Sequence, residues 1–262
     1  ILASRAAIDA EVATLVGMDC IKKWFEETKG KIHFVEGGGS AAVLESNCLN
    51  MVLTGNPGTG KTTVARLMFK FLHAYGVLKK NVFIEANALE LKGEYIGHTA
   101  PKVQGMIRSA MGGCLFLDEA YALNGKDSFS NEAIRTLLTE VENNRSSVMV
   151  ILAGYRDKMS GLMRADPGLP RRFPIAHHLS DYRAEELVVI AKDRARSIYG
   201  MSFGAGVAEG LVSAFQTTYA SEMPQHNGGL AVRVVEEAMG RFATRMSRLM
   251  NATAVEASDK VT

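Results

Sequence analysis

Gly55-Asn56-Pro57-Gly58-Thr59-Gly60-Lys61-Thr62 satisfies the spacing GxxxxGK(S/T) at every fixed position. Glycines at this spacing let successive backbone N–H groups turn inward. The following helix points its positive end at the same spot, and the lysine reaches phosphate oxygens. A short apolar run, Leu49-Asn50-Met51-Val52-Leu53, precedes the motif. Behind it, Val64, Leu67, Met68, Phe71, Leu72 and Tyr75 recur at the spacing of a single helical stripe. A strand, a phosphate cradle and a helix are expected in that order, with Asn56, Pro57, Gly58, Thr59, Gly60, Lys61, Thr62 and Thr63 around a bound nucleotide. Lys61 is expected on the β and γ oxygens, and the Thr62 hydroxyl on Mg²⁺.

Outward from the cradle, strand-like runs occupy 49–54, 82–86, 114–117 and 148–153, separated by stretches of helical period. That alternation predicts an α/β fold with a parallel, covered sheet. Residues 1–36 read as helical with an interruption at Leu15-Val16-Gly17-Met18, and Glu36-Gly37-Gly38-Gly39-Ser40 reads as a joint. From Asp181 the strand signals stop. Helical segments at 184–199, 205–220 and 230–250 place a boundary near 180, giving a core of 1–180 and a helical unit of 181–262.

Cys114-Leu115-Phe116-Leu117-Asp118-Glu119 is an apolar strand ending in two carboxylates. Asp118 would lie at the carboxyl ends of the strands, within reach of the metal held by Thr62. Glu119 beside it can orient or deprotonate a water, which favours hydrolysis over transfer to a substrate hydroxyl, the rival kinase reading. Arg171-Arg172, in Asp166-Pro167-Gly168-Leu169-Pro170-Arg171-Arg172-Phe173, is placed to reach a neighbouring subunit's γ-phosphate. Tyr95-Ile96-Gly97 puts an aromatic and an aliphatic side chain in a glycine-bounded loop, where such groups can grip a chain segment or simply pack in a turn.

The chain has 262 residues, 47% of them hydrophobic, with a formal charge of +2. No strong field argues for nucleic acid or an anionic membrane as partner. Cys20, Cys48 and Cys114 lack metal spacing and suit buried thiols in a reducing compartment. No apolar run approaches the roughly 20 residues that span a bilayer, and no signal-peptide pattern opens the chain, so a soluble protein is expected. Starting at Ile1, it is expected to be cut from something longer.

GNPGTGKTTVAR, KGEYIGHTAPK, AMGGCLFLDEAYAL, NEAIRTLLTEVENNR, VMVILAGYRDKM and DPGLPRRFPIAHHLSDY, in that order, resemble the CbxX/CfqX group of AAA+ ATPases. YIGHTAPK and IAHHLSDY look most similar to its red-type Rubisco activases, which are ring-forming, ATP-driven remodellers. The resemblance implies an AAA+ P-loop NTPase core with a parallel five-stranded sheet plus a C-terminal α-helical lid. It further implies ATP and Mg²⁺ as cofactors and a homomeric, hexameric ring or a ring mixed with a homologous subunit. A client polypeptide, such as the Rubisco large subunit, would be pulled through a central pore, in bacterial cytoplasm or plastid stroma.

By the same resemblance, Val16 and Gly17 line the adenine pocket, Asp118 and Thr62 hold the metal, and Glu119 activates water. Arg172 is the arginine finger, while Arg171 stands where a small residue is usual, and Tyr95-Ile96-Gly97 is the pore loop. Two positions depart from the pattern. Leu230 occupies the place of the lid's sensor arginine, with Arg233 about one turn further on as its possible substitute. Gly154-Tyr155 ends the fourth strand where Asn or Thr is common. A nucleotide-binding regulatory or scaffold subunit of a mixed ring, with weak or no hydrolysis of its own, is therefore the second expectation.

Overall fold

The computed structural model describes residues 2–45, 48–125 and 127–258. The chain divides into two compact units, Ile1–Ser180 and Asp181–Thr262.

In the first unit, strands β1 (Met51–Gly55), β2 (Phe83–Asn87), β3 (Cys114–Asp118), β4 (Met149–Gly154) and β5 (Ile175–Leu179) form one sheet in the order β2-β3-β4-β1-β5. Every pairing is parallel. β1, β3 and β4 are apolar almost throughout because helices cover both faces. Alternate side chains divide between two cores. Met51, Leu53, Phe116 and Ile151 pack with helices α1 (Leu2–Ala13), α2 (Asp19–Glu36) and α4 (Lys61–Ala74). A short α3 (Ala42–Glu45) lies between α2 and β1. Val52, Leu115, Leu117, Val150 and Leu152 pack on the other face with α5 (Thr99–Ala110), α6 (Ser128–Asn143), α7 (Arg156–Ala165) and α8 (Gly168–Arg172). Trp24 and Phe25 meet Phe71 edge-on and fix α2 to α4.

β5 is the strand that residue patterning alone does not find. It is an edge strand whose burial alternates, and its polar positions are His177 and His178. Its register still matters, because β1 ends with Gly55 opposite Leu179. A Cβ on Gly55 would lie 2.7 Å from both the Leu179 carbonyl oxygen and the Thr59 hydroxyl oxygen. A side chain there would push the cradle off the sheet.

Asn50, just before β1, is buried. Its side-chain oxygen accepts the backbone N–H of Val150 at 2.8 Å, and its amide donates to the Cys48 sulfur at 3.3 Å. Asn50→Ala orphans a buried N–H on β4 and should destabilise the fold by about 1–3 kcal/mol. Urea unfolding with an unchanged m-value and a lower midpoint is the expected result; an unchanged midpoint contradicts it.

The second unit consists of α9 (Ala184–Tyr199), α10 (Val207–Gln216), α11 (Met223–His226) and α12 (Gly228–Ser258). Leu187, Ala191, Phe215, Leu230, Ala231 and Val235 are its core. Buried Asn227, at φ 46°, turns the chain into α12 while accepting the Tyr182 N–H and donating to Asp181, both at 2.9 Å. The sequence predicts an apolar α12 face running on through Ala238, Phe242 and Met246 to Met250. Instead Val234, Val235 and Met239 pack, while Ala238 and Met246 are exposed. The reason is length: α12 has 31 residues against 16 in α9 and 10 in α10, so it outruns its partners. The side chains of Leu249 and Met250 lie outside those described. Among the described residues no helix is long and apolar enough to cross a membrane.

Candidate nucleotide site

The carboxyl ends of β1, β3 and β4 surround a cavity of about 370 Å³. Gly60 caps α4 in the left-handed region, φ 89°, with no side-chain hydrogen bond to the helix end. The first N–H groups of α4 therefore keep their partial positive charge for whatever occupies the cavity. Pro57, Gly58, Gly60, Lys61, Thr62 and Thr63 line it from this side. Thr59 is fully buried and its hydroxyl donates to the Asn56 carbonyl at 2.8 Å, closing the turn from within.

Lys61 folds back on the loop, donating to the carbonyl oxygens of Gly55 at 2.9 Å and Asn56 at 3.0 Å. Burial pulls its pKa below the usual lysine value, and the negative charge of Asp118 partly opposes this. A half-buried ammonium beside the first N–H groups of a helix makes a site suited to an anion.

Opposite stands the end of β3. Asp118 and Glu119 both line the cavity. The Asp118 carboxylate accepts the Glu119 N–H at 2.8 Å. Glu119 itself sits at φ 51°, ψ 35°, a conformation that costs a non-glycine residue about 1–2 kcal/mol and swings its side chain out of the strand. Its two oxygens are spoken for: one accepts the Asn87 amide at 3.0 Å, the other the Tyr121 hydroxyl at 2.9 Å. Asn87 first, Tyr121 second, and the charge of Lys158 hold this carboxyl below its ordinary pKa. Burial and the neighbouring carboxylate push Tyr121 up to about 12. Glu119 is thus ionised, and Tyr121 a hydroxyl donor, throughout the neutral range. Tyr121 and Tyr155 also line the cavity, with the Lys158 ammonium 4.5 and 5.1 Å from their ring centroids.

Asn87 and Tyr121 carry no signal as site residues in the sequence, whereas Tyr155 stands where the family pattern has Asn or Thr. The available signal was register: Asn87 ends β2 directly opposite Asp118. Its side-chain oxygen also accepts the Leu89 N–H at 3.0 Å, capping the short turn that leads towards Tyr95.

Other expected residues lie apart from this cavity lining. Val16 and Gly17 are half-buried in the turn between α1 and α2, with Gly17 at φ 62°. Tyr95 and Ile96 are 67% and 91% exposed, so the local turn does not absorb them, although Tyr95 meets His98 edge-on at 5.5 Å. The loop closes at its base, where the Thr99 hydroxyl accepts the Gly93 N–H at 3.0 Å. Arg172 donates from Nε to the Leu138 carbonyl at 3.1 Å and pairs with Glu142 at 3.3 Å. Arg171 is exposed. In the second unit Leu230 is core, and Arg233 is paired with Glu222 and approaches Glu237 at 3.9 Å.

Residues 51–179 match the family described as ATPase family associated with various cellular activities (AAA). Stage V sporulation protein K of Bacillus subtilis (strain 168) is 43% identical over 189 residues, which cover 71% of this chain and 58% of that protein. Protein CbbX of Cereibacter sphaeroides is 44% identical over 184 residues, 68% of this chain and 59% of that protein. The chloroplastic ribulose bisphosphate carboxylase/oxygenase activase of Cyanidioschyzon merolae (strain NIES-3377 / 10D) is 47% identical over 149 residues, 55% of this chain and 50% of that protein. The chain therefore spans half to three fifths of these relatives. A parallel sheet carrying the cradle, an acidic strand end facing it, and these similarities lead to one statement: residues 51–179 are a domain of the AAA family of ATPases, and the chain is similar to the AAA+ protein CbbX.

Proposed function

We propose that this chain is the ATP-hydrolysing part of a ring-forming protein remodeller. The observation that carries the proposal is the Asp118–Glu119 pair facing the Lys61 cradle across one cavity. The residues fit ATP with Mg²⁺: a glycine cradle, a half-buried ammonium, a threonine hydroxyl and a strand-end carboxylate. Thr62 and Asp118 would hold the metal, which supplies charge neutralisation between phosphate oxygens. Val16 and Gly17 would receive the adenine. Lys61 exchanges the Gly55 and Asn56 carbonyls for β and γ oxygens. Glu119 takes a proton from a water whose oxygen bonds to the γ-phosphorus. The bond from that phosphorus to the β,γ-bridging oxygen breaks, leaving ADP and phosphate. Arg172 of a second copy of the chain, the residue that matches the family's motif, neutralises charge developing on the phosphoryl oxygens.

Hexameric assembly would bring the exposed Tyr95-Ile96-Gly97 loops to a central pore, where they pull a polypeptide. Identity to the sporulation protein and to CbbX is level, so the client is argued from the loop strings alone. Inhibited red-type Rubisco is the client we favour, in bacterial cytoplasm or plastid stroma. Tyr95→Ala tests the reading: ATP turnover should stay within a few-fold of the parent while reactivation of inhibited Rubisco falls at least tenfold. Full reactivation by the variant contradicts pulling by this loop.

A second reading is favoured by α12. Leu230 is core and Arg233 is already paired with Glu222, which suits a weakly hydrolysing subunit of a mixed ring. Phosphate release that appears or rises sharply only on adding a homologous subunit supports it; release by the chain alone as fast as in the mixture removes it.

A further inference from the structure

We infer that Tyr121 is a positioning residue for hydrolysis: its hydroxyl, carried on an aromatic seat at the end of β4, fixes the plane of the Glu119 carboxylate and so aims its remaining lone pairs at the attacking water. This rests on the reading of Glu119 as the base.

Glu119 starts from a geometry that does not orient it. Its side chain leaves the strand from a left-handed backbone, φ 51°, and the last torsion of a glutamate has no sharp staggered well. Held at one oxygen alone, the carboxylate would pivot about that single bond. The Asn87 amide holds one oxygen at 3.0 Å and the Tyr121 hydroxyl the other at 2.9 Å. The two anchors come from different elements and together set the plane. An ionised carboxylate offers about four lone-pair directions, so two bonds leave about two for a water. Both contacts therefore orient the base without blocking it.

The seat is shaped for this ring. Ala120 and Leu123 are buried and pin the short turn Ala120–Leu123. Gly154 at the end of β4 supplies the space, since a Cβ there would lie 2.7 Å from Tyr121 Cδ1. The Tyr155 ring lies 5.7 Å from that of Tyr121, tilted by 37°. Lys158 Nζ stands 4.5 Å from the Tyr121 centroid and 5.1 Å from that of Tyr155, and a cation shared by two rings ties them together. Packing alone would need the ring and not its hydroxyl. Here the hydroxyl meets Glu119, and both residues line the nucleotide cavity.

Tyr121→Phe keeps the ring and its cation and removes only the hydroxyl. It should lower kcat for phosphate release about 10- to 100-fold, the scale of a misplaced catalytic group, with the ATP dissociation constant unchanged. Added to Glu119→Gln, the same change should cost nothing further, because the group it positions is already gone. A packing role would move the melting temperature and leave kcat alone. Parental kcat in Tyr121→Phe overturns the inference, and so does faster turnover, which would make the hydroxyl a restraint on Glu119. Loss of ATP affinity in step with kcat also overturns it, as does a full further loss in the Glu119→Gln background. If Glu119→Gln itself hydrolyses at the parental rate, the underlying assignment of the base falls. With Glu119→Gln slow, parental turnover in Tyr121→Phe removes this inference alone.

Discussion

Glu119→Gln should bind ATP as the parent does and hydrolyse it about 10² to 10⁴ times more slowly, the range for losing a positioned general base. The substitution is clean for structural reasons. The Asn87 amide and Tyr121 hydroxyl each hold one Glu119 oxygen. A glutamine fits the same seat, its oxygen accepting from Asn87 and its NH₂ donating to the Tyr121 hydroxyl, which can accept as well as donate. Neither the left-handed backbone at 119 nor the cradle across the cavity need move. What disappears is the negative charge that would receive the water's proton. Turnover measured as phosphate release, beside a binding isotherm, separates the two. A variant that hydrolyses at the parental rate would remove Glu119 as the base.

Lys61→Ala should weaken ATP binding by about 10² to 10⁴, corresponding to two charge-assisted phosphate contacts of roughly 1.5–3 kcal/mol each. Alanine is the best residue for the first turn of α4, so the fold should tolerate the change. The two bonds lost in the nucleotide-free chain are to carbonyls of the same loop, Gly55 and Asn56, at a partly solvated site. Melting temperature without nucleotide should stay near the parent's, while the stabilisation conferred by ATP should vanish. An unchanged dissociation constant would mean that phosphates do not lie in this cradle.

The parts of the site legible in the sequence are those where chemistry and chain position coincide. Lys61 follows its glycines directly, and Asp118 and Glu119 are adjacent at the end of an apolar strand. Asn87 and Tyr121 had no such signal. One reaches Glu119 across neighbouring strands, the other through a short turn, and neither residue type is unusual where it stands. The sheet shows the same divide. Doubly covered β1, β3 and β4 announce themselves as apolar runs, whereas edge strand β5 alternates and carries two histidines, so five strands were expected from the family resemblance alone. Periodicity also overstated α12, because a helical stripe cannot reveal how long the helices packed on it are. Likewise Arg172 matches a finger by position, but its capture by Leu138 and Glu142 depends on how α6 and α8 meet.

Everything proposed for turnover requires a second copy at the bound triphosphate. Sedimentation velocity of Glu119→Gln, with and without ATP and Mg²⁺, asks this most directly, because the trapped nucleotide should hold subunits together. The expected result is a nucleotide-dependent shift to a single large species with the mass of six chains. A protein that binds ATP yet sediments as one chain at every concentration would contradict the shared site.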